Sequence, residues 1–79
     1  MDGKLYQQYL SQYVREAIEQ SDGSVRQITE RLHERVVKGA IVPHRVEKER
    51  ALADAQAAFA KHAHWPLEII LSHLGLARE

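Results

Sequence analysis

The sequence contains no cysteine, which excludes disulfide bonds, thiolate catalysis and every zinc or iron–sulfur site that requires a cysteine ligand. It also lacks an excess of either charge, because eleven Lys and Arg residues balance eleven Asp and Glu residues. No apolar run approaches the ~20 residues of a membrane-spanning helix, and no basic segment followed by an apolar run opens the chain. We therefore expect a cytoplasmic protein that is neither exported nor associated with a membrane.

The chain of 79 residues is too short for most enzymes. A chain of this size buries only about 60% of the surface that it exposes when unfolded, which supports one modest core but not also a deep active-site cleft. We find no glycine-rich phosphate loop and no serine or threonine nucleophile placed near a base. These absences predict a non-enzymatic protein that binds no cofactor and no small-molecule substrate.

Five histidines, at positions 33, 44, 62, 64 and 73, are the residues most suggestive of a metal site. No two of them are separated by four positions, and in a helix His62 and His64 point in different directions. We therefore predict no metal site. Acidification through about pH 6.5 adds up to five positive charges, so an anionic partner is expected to bind more tightly at lower pH.

Only two prolines and four glycines interrupt the sequence, and the apolar residues between them recur at spacings of three and four. This period is typical of amphipathic helices, whereas the alternation expected of strands is almost absent. The pattern predicts an all-α fold, a single helical domain over residues 1–79 that forms a compact bundle of about four helices. Because so small a chain struggles to fill its own core, we also expect a homodimer.

Two helices are predicted in the first half of the chain. The first is expected from Lys4 to Gln20. Ser24, with Gln27 three residues later, has the capping-box pattern that starts a helix. The second helix is therefore expected to begin there and to continue for about fifteen residues, until Gly39 ends it. Its buried seam is expected to comprise Val25, Ile28, Leu32 and Val36.

Two more helices are predicted in the second half. The third is expected from His44 to about Ala63, and it is the longest. It carries small residues that let another helix approach closely, namely Ala51, Ala55 and Ala58. Pro66 is tolerated in the first turn of a helix, so a short fourth helix is expected to start at Trp65 and Pro66 and to end at Gly75.

Charges are unevenly distributed along the chain, although they cancel overall. Residues 24–50 carry seven basic side chains against four acidic ones, a local charge of +3, whereas residues 1–23 and 51–79 are slightly acidic. This pattern fits a solvated helix surface with intrahelical pairs, such as Glu34 with Lys38. It also fits a shallow surface for nucleic acid. In that second interpretation the candidate phosphate contacts are Arg26, Arg31, Arg35, Lys38 and Arg45.

Tyr6, Tyr9 and Tyr13 lie on one side of the first predicted helix, at spacings of three and four. Tyrosine combines an apolar ring with a polar hydroxyl, so such a stripe suits a half-buried surface. The stripe is either a core face whose hydroxyls reach solvent or a surface for self-association or for a protein partner. In the second interpretation these three residues and Trp65 form the partner or dimer interface.

Two segments carry a family resemblance. The segment AIEQSDGSVRQITERL, residues 17–32, contains a helical stretch, an acidic turn and the start of another helix. The segment QAAFAKHAHWPLEIILSHLGL, residues 56–76, contains a double alanine before a turn and a Leu-Gly-Leu end. Each covers about a quarter of the chain and resembles part of the Fis-type helix-turn-helix. The resemblance implies a DNA-binding protein, although its implied recognition helix, residues 66–74, contains no arginine or lysine.

These features predict a small regulatory protein without enzymatic activity. The resemblance and the local positive charge favour a DNA-binding transcription regulator of helix-turn-helix type. The alternative is a helical protein–protein interaction module, such as an adaptor, an antitoxin-like partner or an inhibitor of another protein. Zero net charge and the tyrosine stripe favour this alternative.

Overall fold

The computed structural model describes residues 3–76, and within this range it contains four α-helices and no strand. The helices are α1 (Gly3–Glu19), α2 (Val25–Glu34), α3 (Arg45–Lys61) and α4 (Leu67–His73). The predicted all-α bundle of four helices is thereby confirmed. The predicted domain also includes residues 1–2 and 77–79, which lie outside the described residues. None of the described helices is long and apolar enough to cross a membrane.

The core lies mainly between α1 and α3, which pack against each other more extensively than any other two helices, and α2 packs against both. Ala51 and Ala55 of α3 are fully buried, because their small side chains allow close helix packing. Phe59 is the largest fully buried side chain. The core comprises Leu10, Tyr13, Val14, Ala17, Ile28, Leu32, Ala51, Leu52, Ala55, Phe59 and Ile70.

Helix α2 begins where the capping pattern predicts. The Ser24 hydroxyl oxygen accepts a hydrogen bond from the Gln27 backbone N–H at 3.2 Å. The Gln27 side chain does not return to Ser24 as in an ordinary capping box, because the Ser24 N–H already donates to the Asp22 carboxylate at 2.9 Å. Instead the Gln27 amide oxygen accepts from the Asp22 N–H at 2.9 Å, so the turn is closed on both sides.

Helix α2 ends at Glu34, and the predicted extension to Gly39 is wrong. Arg35 has extended backbone angles, φ −82° and ψ 137°. The Gln56 amide of α3 donates to the Leu32 carbonyl at 2.6 Å and to the Arg35 carbonyl at 3.3 Å, so it satisfies carbonyls at the helix end. The predicted buried position of Val36 is also wrong, since it is 56% exposed.

The remaining helix ends differ little from the expected ones. Helix α3 ends at Lys61 rather than near Ala63. Pro66 stands at the N-cap of α4, one position before the first helical residue. Gly75 ends the last helix as predicted, with φ +77° and with a hydrogen bond from the Leu76 N–H to the Leu71 carbonyl at 2.8 Å.

Candidate functional site

The ten residues between α2 and α3, together with the first turn of α3, expose three large apolar side chains. Ile41 is 93% exposed and Val36 is 56% exposed. Val46, in the first turn of α3, is 69% exposed. Single exposed apolar residues are ordinary on a protein surface, but three within eleven consecutive residues mark a candidate interaction site. We call the side chains of Val36, Lys38, Ile41, Arg45 and Val46 the linker surface; Arg45 is half-buried and the other four are exposed.

The linker is anchored to the bundle at several points. Val37, next to exposed Val36, packs against the core. The Arg45 guanidinium donates to the Gly39 carbonyl and so closes a loop around Ile41. Gly39 has φ +117°, and a Cβ atom there would lie 3.3 Å from Cγ2 of Val42. These contacts hold the backbone in a defined loop that leaves Ile41 in solvent.

The linker is also positively charged. Residues 35–45 carry Arg35, Lys38 and Arg45 and no carboxylate. The carboxylates that pair with the two arginines come from outside the linker, Glu16 on α1 for Arg35 and Glu49 on α3 for Arg45. Lys38 is exposed. The linker surface is therefore apolar and cationic together.

The structure pairs most of the predicted phosphate contacts with carboxylates. Arg26, Arg31, Arg35 and Arg45 lie within ion-pair distance of Glu30, Glu34, Glu16 and Glu49, respectively. The expected intrahelical pair of Glu34 with Lys38 cannot form as such, because α2 ends at Glu34; Arg31 lies 3.4 Å from that carboxylate instead. The Arg31 Nε also donates to the Gln20 carbonyl at 3.1 Å. A phosphate group would compete with these contacts.

Two of the three tyrosines, Tyr6 and Tyr13, make their contacts within the chain. Tyr13 is 7% exposed and belongs to the core, with the Arg35 guanidinium 5.0 Å from its ring centroid. Burial raises the pKa of the Tyr13 hydroxyl, against the lowering effect of Arg35. Tyr6 is half-buried and its hydroxyl donates to Asp54 of α3. Burial, together with the Asp54 carboxylate, raises the pKa of Tyr6 to about 12.

Tyr9 lies beside the other end of the linker. Its ring is partly exposed and stands 6.2 Å from the His44 ring, and the Lys48 ammonium lies 5.3 Å from its centroid. His44 itself has the left-handed backbone angle φ +56°, just before α3 begins. The tyrosine stripe is thus divided: Tyr13 has the core role that the sequence left open, and Tyr9 borders solvent beside the end of the linker.

Trp65, the fourth predicted interface residue, forms an aromatic cluster with histidines at the junction of α3 and α4. The His62 ring stacks on the indole at a centroid distance of 3.7 Å and an interplanar angle of 12°. His73 of α4 stands edge-on to both rings, at 4.9 Å from His62 and 5.7 Å from Trp65. His64 lies 6.3 Å from the indole on another side. Trp65 also packs against the edge of the core.

Among residues 3–76, no group of three or more His, Asp or Glu side chains is arranged to hold a metal ion.

The two segments with the family-like pattern fall at helix junctions. Residues 17–32 cover the end of α1, a turn and most of α2, but ten non-helical residues then separate α2 from α3. Residues 56–76 cover the end of α3, a five-residue connection and α4. Helix α4 exposes Glu68 and Ile69, the latter by 51%. The membership of the chain in the Fis-type family stays a prediction.

Comparison with known proteins gave no match: no protein-family model, no curated protein and no solved structure is significantly similar to this chain.

Sequence reasoning missed the linker surface because it assigned Val36 to the buried seam of α2. A signal was present in the sequence. The run from Val36 to Val42 contains four β-branched residues around Gly39, and such residues favour extended backbone over helix.

Proposed function

We propose that the protein is a helical protein-interaction module whose linker surface binds a partner segment rich in apolar and acidic side chains. The observation that carries this proposal is the exposure of Ile41 in an anchored loop whose charged residues are all cationic. Apolar side chains gain from burial against a partner, and cations around them attract carboxylates. Acidic and apolar chemistry together is therefore what this surface complements.

The linker surface offers enough apolar area for weak to moderate binding. Fully burying one Val or Ile side chain is worth about 1.5–3 kcal/mol, so burying Val36, Ile41 and Val46 contributes several kcal/mol before the costs of association. Because Val37 and Arg45 already hold the loop, little additional backbone ordering is required on binding. The surrounding cations contribute chiefly to orientation and association rate.

DNA binding is the second candidate function, and the cation-only linker is the observation that favours it. Lys38 and the two linker arginines would contact phosphate, as the sequence predicts. Protein binding is placed first because DNA phosphates give the exposed side chain of Ile41 no apolar partner. The carboxylates paired with Arg35 and Arg45 compete with an acidic peptide and with phosphate alike, so these pairs do not separate the two candidates.

Selection from a displayed library of random peptides on the immobilised protein tests the first proposal. The selected peptides are expected to be enriched in Asp or Glu together with Leu, Ile, Val or Phe. Fluorescence anisotropy then measures their affinity for the wild type and for Ile41→Ser and Lys38→Glu variants. Both substitutions are expected to weaken binding at least severalfold, because each removes one half of the complementary chemistry.

Ile69→Ser is the matched control, since Ile69 is a similarly exposed apolar side chain on α4. It is expected to leave peptide binding unchanged. Peptides without acidic enrichment, or peptides that bind the Ile41→Ser variant as tightly as the wild type, would contradict the proposal.

The same anisotropy assay with mixed-sequence duplex DNA, at low and at physiological salt, separates the two functions. A DNA-binding surface is expected to show a log–log salt slope of about −0.9 for each phosphate neutralised. Lys38→Glu would weaken DNA binding, whereas Ile41→Ser would not change it. No binding to DNA even at low salt would eliminate the second candidate.

A further inference from the structure

We propose that the His62–Trp65–His73 cluster is an acid-sensitive latch that holds α4 on the bundle at neutral pH and releases it when the histidines are protonated. The latch is independent of the linker surface and of the function proposed for it. It is a property of the opposite end of α3.

The geometry of the cluster ties three chain segments together. His62 directly follows α3, Trp65 lies in the connection and His73 is the last residue of α4. The rings of His62 and Trp65 are parallel at 3.7 Å, and the His73 ring closes against the edges of both. The backbone N–H of Trp65 also donates to the backbone carbonyl of His62 at 2.9 Å. The cluster therefore fixes the connection and the far end of α4 at one point.

Helix α4 is held on the core by Ile70 and by the partly buried Leu67, Leu71, Leu74 and Leu76 as well as by this cluster, but it is the least packed of the four helices. It has only seven residues, and it packs against the other helices less than they pack against one another. Ile70 is its one fully buried side chain, while Leu67 and Leu71 are half-buried at the edge of the core. An element with few buried apolar contacts opens with a lower free energy than the rest of a fold.

The surroundings of His62 disfavour a positive charge. His73 faces it from α4 at a ring separation of 4.9 Å, and Lys61 and His64 flank it in the chain. A positive charge on His62 is therefore repelled by the Lys61 ammonium and disfavoured by the two neighbouring imidazoles. Partial burial, and then these three neighbours, lower the pKa of His62 from its ordinary value of 6.5.

Two groups on the other packed helices line the same groove, which has a volume of about 470 Å³. These are Asp54 of α3 and Tyr6 of α1. The Asp54 carboxylate is the one group there that would attract an imidazolium, and it already accepts the Tyr6 hydroxyl. The indole face also attracts an imidazolium through a cation–π interaction. The pKa of His62 is lowered, with desolvation as the largest cause and repulsion from His73, Lys61 and His64 following it.

The sign of the pH effect follows from this balance. When α4 undocks, His62 gains solvent and loses His73, so its pKa returns toward the ordinary value. The undocked chain then binds a proton more readily than the docked chain. The docked state is favoured above about pH 6.5 and loses stability progressively as the pH falls below it.

Amide hydrogen exchange on the wild-type protein tests the latch. The probe is the protection factor of Ile70, whose N–H donates to the Pro66 carbonyl at 3.2 Å, measured between about pH 7.5 and about pH 5.5. It is expected to fall severalfold on acidification, while amides in α1 and α3 keep their protection. Trp65 is the only tryptophan, so a red shift of its emission maximum over the same range reports exposure of the indole.

Three variants distinguish the latch from general acid sensitivity. His62→Gln is expected to abolish the pH dependence of Ile70 protection. Lys61→Gln keeps all the rings and removes one cation that lowers the pKa of His62, so it is expected to make the loss of Ile70 protection on acidification smaller. It also serves if His62→Gln loosens α4 by itself. His33→Gln, an exposed histidine on α2, is the matched control and is expected to behave like the wild type.

Two results would overturn the proposal. One is Ile70 protection that falls with acid equally in the wild type and in both the His62→Gln and Lys61→Gln variants. The other is a change of Trp65 emission intensity with no loss of Ile70 protection, since an imidazolium can quench the indole while α4 stays docked.

Discussion

The Arg35 guanidinium lies over the Tyr13 ring, 5.0 Å from its centroid, and forms an ion pair with Glu16. Tyr13 and Glu16 both lie on α1. Arg35 is the first residue after α2 and carries an extended backbone. Its side chain therefore fastens the start of the linker to α1. The residue that the sequence marked as a phosphate contact has a structural role in the bundle.

Arg35→Ala is expected to lower the free energy of unfolding by about 1 kcal/mol, combining a cation–π contact with a half-exposed ion pair. For a domain of this size that corresponds to about 4–8 °C in Tm. Thermal unfolding followed by circular dichroism measures it. Arg26→Ala is the control, because its side chain is exposed and its pair with Glu30 is long at 3.8 Å. Equal stability of the two variants would show that the contact over Tyr13 contributes nothing.

The Arg31→Ala, Arg35→Ala double variant tests the DNA hypothesis, which expects it to weaken DNA binding. Because Arg35 packs over Tyr13, the DNA affinity of the double variant is measured at a temperature where circular dichroism shows that the variant is folded. Unchanged affinity under that condition would remove both residues from the DNA hypothesis.

Ser24→Ala is expected to destabilise the protein by about 1 kcal/mol, because the Gln27 N–H loses its acceptor at the start of α2. Ser24→Thr keeps a hydroxyl at the N-cap, which can accept from the Gln27 N–H and donate to Asp22, and is expected to be tolerated. Urea denaturation of the two variants measures the difference. If both lose stability equally, the cap bond is not the source of the effect.

Asp22 gives the same turn a dependence on acid. Hydrogen bonds from the Ser24 backbone and hydroxyl hold the pKa of Asp22 below its ordinary value of 3.8. The carboxylate therefore stabilises the fold above that value, and this contribution is lost as the pH falls through the lowered pKa. Asp22→Asn is expected to be less stable than the wild type at neutral pH, with the gap closing as the pH falls below the ordinary pKa of 3.8. A gap that stays constant with pH would contradict this assignment.

Phe59→Ala is expected to cost about 3–5 kcal/mol, because it removes the largest fully buried side chain. Small domains have total stabilities of about 5–15 kcal/mol, so the variant is expected to be largely unfolded or loosely packed. Phe59→Leu fills most of the volume and is expected to cost only about 1–2 kcal/mol. Circular dichroism and urea denaturation compare the two. A cooperative and stable alanine variant would contradict the assigned packing.

The tyrosine stripe tests the predicted homodimer. Replacing Tyr6, Tyr9 and Tyr13 by serine together is now expected to reduce helicity, because Tyr13 is in the core. The Tyr6→Ser, Tyr9→Ser variant leaves Tyr13 in place and is the cleaner test. If this stripe mediates self-association, light scattering on a sizing column gives a smaller mass for that variant than for the wild type. An unchanged mass would remove the tyrosines from any interface.

The sequence alone determined that the chain is helical and where most helices begin. Three local features can be recognised without knowing the fold, because each depends on residues close together in the sequence. These are the apolar period, the Ser24 cap and the left-handed Gly75. The buried alanines of α3 could also be predicted, since small side chains at helical spacing favour close packing against whichever helix lies next to them.

Only the tertiary structure decided where α2 ends and what becomes of the side chains beyond it. Gln56 meets the Leu32 and Arg35 carbonyls from more than twenty residues away, and Glu16 draws Arg35 toward α1. No local pattern encodes these contacts. They end α2 before the glycine stop that the local pattern predicts, in a stretch where β-branched residues already disfavour helix, and Val36 and Ile41 lie exposed beyond that end. Local energies thus determined the helices, and contacts between residues distant in sequence determined the surface that they present.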